Sequence, residues 1–253
     1  MKMTTRLCAH ALFAALALAS APAFAVDPPI HVHEGDVLPL LPCATDKANC
    51  KIALDDLDDK EFDTATGFPI FEGDFGDLPG GAFATDDPGY DHEAGQFLSG
   101  TILGAKAVGT LQFWNGSAWL NATPNDEVVT LIDALGESLV IDDTTTPDGT
   151  AIIGLLVDGN IHEHLDMKVT TGATVGAYLF ALKLVGILDI DNLTTPIYQE
   201  SDPFMLILNR GLSFTAFEEA VAARTAPVPV PGAVWLLGSA LAGLTARSRR
   251  ARA

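Results

Sequence analysis

Histidine carries the chemistry this sequence has to offer. Outside the first 25 residues there are five: His31, His33, His92, His162 and His164. Four of them form two His-x-His pairs, and the fifth lies between Asp91 and Glu93. On an extended strand, residues two apart point to the same face, so two imidazoles at this spacing converge on one ion. One such pair on a polar strand is ordinary solvated surface. Two pairs plus Asp91-His92-Glu93 point to a metal centre. Imidazole nitrogen combined with carboxylate oxygen suits Zn²⁺ first, with Cu²⁺ and Ni²⁺ competing by intrinsic affinity. The expected ligands are His162 and His164 at the centre, with His31, His33 and His92 completing the shell. Asp166 would ligate the ion or orient a ring.

Other catalytic and metal patterns fit poorly. His162-Glu163-His164 lacks the four-residue separation that places two histidines on one helical face for a zinc protease. Asp189-x-Asp191 with Glu200 resembles an EF-hand loop only in outline, because Leu193 and Thr194 stand where a ligand and a glycine belong and Pro196 interrupts. No serine elbow, phosphate loop or Cys-x-x-Cys pair is present. A zinc enzyme of unknown reaction, with Glu163 or Glu93 as its base, stays open as an alternative.

Strands must position these residues. The apolar runs 127–135, 138–142, 151–157, 161–169, 175–188 and 203–208 are separated by Gly, Asp and Pro clusters. In the run 161–169, Ile161, Leu165, Met167 and Val169 make one face, and His162, His164 and Asp166 the other. Trp114-Asn115-Gly116-Ser117 predicts a tight hairpin, with Phe113 opposite Ala118 and Leu111 opposite Leu120. Trp114 and Trp119 would then share a face, the kind of exposed aromatic stripe expected of the alternative reading, a non-catalytic structural or adhesive module of an extracellular polysaccharide matrix. Residues 55–91 read as a long loop region. Thr215 and Glu218 form a capping box for a helix over 213–224. The whole predicts an all-β fold, a β-sandwich or jelly-roll-like single domain over residues 26–226 with one short C-terminal helix.

Between residues 26 and 226 stand all 33 acidic residues and only eight basic ones. Such a field repels phosphate backbones, excludes nucleic acid as a main partner, and concentrates cations. The basic residues outside this body sit at the two ends. Lys2 and Arg6, an apolar run and Ala23-Phe24-Ala25 read as a signal peptide over residues 1–25, to be removed by signal peptidase. Export makes a Cys43–Cys50 disulfide the default, against the alternative of two thiolate metal ligands.

At the C-terminus, Val228-Pro229-Val230-Pro231 precedes an apolar stretch, 233–246, and a cluster of arginines. Fourteen helical residues rise about 21 Å, short of a bilayer core, so the segment anchors weakly. Residues 227–253 resemble the PEP-CTERM sorting signal of Gram-negative bacteria. That resemblance implies processing by an exosortase, transient anchoring in the inner membrane, and delivery to the periplasmic face, the cell surface or the medium. His162-Glu163-His164-Leu165-Asp166, Val175 to Leu179, and Glu200 to Leu212 are similar to a PEP-CTERM family whose genes are repressed by the zinc-uptake regulator. The resemblance implies a surface protein made under zinc limitation that handles zinc without catalysis.

Overall fold

In a computed structural model the described residues are 36–43, 47–76, 81–92, 97–156, 161–187 and 196–226. They all fall within one compact unit, His33–Ala253. In chain order the strands are β1 (Pro39–Leu40), β2 (Ala53–Leu54), β3 (Ile70–Asp74), β4 (Ala84–Thr85), β5 (Tyr90–His92), β6 (Thr101–Trp114) and β7 (Trp119–Leu120). There follow β8 (Val129–Ile132), β9 (Ser138–Ile141), β10 (Ala151–Leu156), β11 (Ile161–Glu163), β12 (Asp166–Val169), β13 (Gly176–Ile187) and β14 (Phe204–Arg210). One helix, α1 (Phe214–Thr225), ends the described chain. The expected all-β single domain is what the chain forms.

Two sheets face each other across one core. The larger runs β10-β6-β13-β14-β3, with β7 paired to β6; the smaller runs β4-β12-β8-β9. Leu103, Leu111, Phe113, Tyr178, Phe180, Leu182, Phe204 and Leu206 from the first meet Val129, Leu131, Leu139, Ile141, Met167 and Val169 from the second. The larger sheet is apolar on both sides, because Leu179, Ala181, Met205 and Ile207 pack under Phe217, Ala220 and Val221 of α1. Double coverage explains why β13 and β14 read as continuous apolar runs, whereas β9 alternates exposed and buried residues. Burying Phe217 and Val221 contributes about 2 kcal/mol each, which ties a short helix to the sheet.

Several local expectations shift. The run 161–169 is two strands, not one. β11 pairs with β5, β12 pairs with β4 and β8, and His164-Leu165 form the corner between them. Leu165 leaves the ladder to enter the core. The hairpin pairs Phe113 with Leu120 and Trp114 with Trp119, two residues out from the tight register. Its loop is four residues because the Asn115 side chain accepts from the backbone N–H of both Ser117 and Ala118. Residues 55–91 carry β3, β4 and β5, each in a different sheet. The helix is capped by Ser213, whose hydroxyl accepts from the Ala216 N–H, rather than by Thr215.

Cys43 and Cys50 form the disulfide, with a Cα–Cα distance of 5.8 Å, across the loop between β1 and β2. No described helix is long and apolar enough to cross a membrane. The signal segment 1–25 and the sorting segment 227–253 lie outside the described residues.

Candidate metal centre

The β11–β12 corner places the central histidine. Because the chain switches sheets there, His164 lies outside both ladders, and its ring takes up the space beside Gly89 where a side chain would stand. A Cβ at position 89 would stand 2.5 Å from His164 Cε1 and 2.7 Å from its Nδ1. Only a residue without a side chain leaves that space. Gly89 is itself held, donating its N–H to Asp36 Oδ1 at 2.8 Å and accepting from Val37 N–H at 2.9 Å.

The carboxylates come from the turn between β4 and β5. Asp86, Asp87 and His164 each offer a ligand atom, and these atoms all lie within 4.8 Å of one another. Thr85, fully buried at the end of β4, anchors the turn by accepting from the Asp87 N–H at 3.1 Å. Gly73 of β3 presses on the other side, where any Cβ would meet the Asp87 carbonyl oxygen at 2.5 Å. All three side chains are half-buried, which leaves a cation access while reducing its solvent screening.

Hydrogen bonding selects the histidine tautomer. His164 Nδ1 lies 2.9 Å from the Asp86 carbonyl oxygen, which can only accept. Nδ1 therefore carries the proton, and in the neutral ring Nε2 keeps the lone pair that binds metal. A ring nitrogen tied to a backbone carbonyl is the usual outer-sphere arrangement of a ligating histidine. Asp87 Oδ1, 3.6 Å from the same Nδ1, adds negative potential.

The other expected ligands distribute unevenly. His162 is exposed on β11, directly opposite Asp91 of β5, with Nδ1 3.8 Å from Asp91 Oδ1. Its ring meets that of His164 edge to face, centroids 5.5 Å apart. His92 falls opposite Ile161, one step along from the His162–Asp91 pair. Asp166 belongs to β12, opposite Ile132, and is not among the three clustered residues. His31, His33 and Glu93 lie outside the described residues. Glu163, the base considered for a zinc enzyme, packs its side chain over Gly154 of β10, whose missing Cβ would touch Glu163 Cγ at 2.9 Å.

Asp86 and Asp87 were not legible as candidate ligands because they fall in the stretch read as loop. Their one sequence signal is nearness to Asp91-His92, four to six residues on. The strand pairing of β5 with β11 brings that segment against His162 and His164.

No protein-family model, curated protein or solved structure matches the chain.

Proposed function

We propose that this is an exported, non-catalytic protein that binds a divalent first-row cation, zinc first, through His164, Asp86 and Asp87. The observation that supports the reading is the convergence of these three side chains, from two separate segments, with one ligand atom of each within 4.8 Å of the others. One imidazole and two carboxylates form a donor set suited to Zn²⁺. His162 is not among those three residues, but it supplies a further imidazole beside them. A ring centroid lies about 3 Å from a zinc bound through its nitrogen, so two imidazoles on one tetrahedral ion sit about 5 Å apart. The His162–His164 centroid distance is 5.5 Å. The net charge of −19 raises the local cation concentration, and the disulfide fits an oxidising compartment.

A polysaccharide-binding module with an aromatic stripe has less support. All three tyrosines are buried, and Trp114 is 5% exposed.

Calorimetric titration of the purified full-length chain with Zn²⁺ tests the proposal. His164→Ala and the pair Asp86→Asn/Asp87→Asn should each weaken binding roughly tenfold or more, while Asp166→Asn should leave it unchanged. Affinity should also fall as the buffer is acidified, because protons compete with the metal for its ligands. Wild-type affinity in His164→Ala would sink the assignment.

A further inference from the structure

A second, more exposed pair of donors stands beside the clustered three. His162 of β11 and Asp91 of β5 are direct strand partners, with Nδ1 3.8 Å from Oδ1. Their side chains are 61% and 51% exposed, against 20% for His164 and 31% for Asp87. We propose, resting on an ion held by His164, Asp86 and Asp87, that His162 and Asp91 are its entry and exit station. They take the hydrated cation from solvent and pass it to His164, and they do not ligate it in the loaded state.

Geometry separates the two sets yet lets one ion pass between them. The ligand atoms of Asp86, Asp87 and His164 lie within 4.8 Å of one another, and neither His162 nor Asp91 joins that group. Strand pairing holds His162 and Asp91 together instead, on the two-stranded sheet of β5 and β11. The rings of His162 and His164 still meet edge to face, with centroids 5.5 Å apart. With zinc about 3 Å from each centroid, both imidazoles can hold one ion in passing. One imidazole and one carboxylate are half of the donor set that retains zinc, so the outer pair captures without retaining. An exposed side chain changes rotamer within nanoseconds, which lets His162 follow the ion inward.

Two other approaches are closed. A methyl group at Gly89 would stand 2.5 Å from His164 Cε1, and one at Gly73 would stand 2.5 Å from the Asp87 carbonyl oxygen. Space that rejects a methyl group also rejects a hydrated cation, so nothing enters past either glycine. The exposed pair offers the ion a path on which donors replace its water stepwise, where bare dehydration at a half-buried site would be costly. Its carboxylate adds locally to the attraction that a net charge of −19 exerts on cations.

The experiment measures rates as well as affinity on the full-length chain. Stopped-flow mixing with Zn²⁺ gives association. Transfer to a chromophoric chelator, at concentrations where the rate no longer depends on the chelator, gives dissociation. A station used only in passage alters both rates and leaves the equilibrium alone. His162→Ala should slow association and dissociation alike, roughly tenfold, with Kd unchanged; Asp91→Asn should do the same to a smaller degree. A weakened Kd with faster dissociation in His162→Ala would make it a resident ligand and overturn the proposal. Wild-type rates in both variants would overturn it too, because the ion would then enter elsewhere. Failure of the centre itself reads differently: His164→Ala would keep the wild-type Kd, whatever the other two variants do.

Discussion

His164 depends on a residue with no chemistry of its own. Its ring occupies the volume that any side chain at position 89 would fill. Gly89→Ala should therefore displace the ring, break its Nδ1–H bond to the Asp86 carbonyl and lower zinc affinity roughly tenfold, at about 1–3 kcal/mol of stability from overpacking. Calorimetry alongside urea unfolding separates the two effects, and a variant with intact affinity would show that the ring position is irrelevant to binding. Glu127 shows the opposite use of a carboxylate. Burial works against its ionisation, but hydrogen bonds from Thr174 and Asn125 outweigh it and hold the carboxyl down at about 2. It is a structural anion pinning the loop before β8 to the loop before β13.

At the scale of elements, the edge strand β3 carries a charge problem. Burial first, then the nearby Glu218, Glu61 and Asp74, push Glu72 up to about 7, with Lys60 opposing. A carboxyl raised in the folded state stabilises the fold fully below its unfolded value near 4.5, and that contribution is lost as pH rises through 7. Glu72→Gln should thus raise the melting temperature at pH 8 and leave it nearly unchanged at about pH 4, below the unfolded value, in thermal unfolding followed by circular dichroism. An equal effect at both values would assign the change to packing. Like charges are managed differently within the larger sheet. Lys106 and Lys183 stand directly opposite on β6 and β13, an unfavourable pairing by itself. Glu200 bridges both ammonium groups, and these contacts lower its own carboxyl from the ordinary range.

At the scale of the whole molecule, the disulfide closes the β1–β2 loop at one margin of the fold while α1 closes another. On the chain-entropy account, a loop this short contributes about 2.5 kcal/mol. Cys43→Ser/Cys50→Ser should lower the unfolding free energy by about that much, measured by urea denaturation with an unchanged m-value. A loss near zero would mean that the loop is equally restricted without the bond. The candidate metal centre depends on such long-range closure. It needs β5 against β11, about 70 residues later in the chain, just as the end of α1 needs Asp63 against Arg224.

Much of this protein was readable directly. The period-two and continuous apolar runs identified most strands, since strand faces must bury apolar area whichever neighbour they meet. The two cysteines outside the signal segment, taken with export, marked the disulfide, and the His-x-His string included His164 of the proposed site. What lay beyond reading was partnership. The run 161–169 keeps strand alternation across His164-Leu165, so nothing local announces that the chain changes sheets there. Asp86 and Asp87 look like any polar turn until β5 docks on β11. The hairpin register moved because a side chain, Asn115, closed the loop in place of the backbone. Pattern along a chain records which residues must be buried; which distant segments meet is decided only when the two sheets close over a common core.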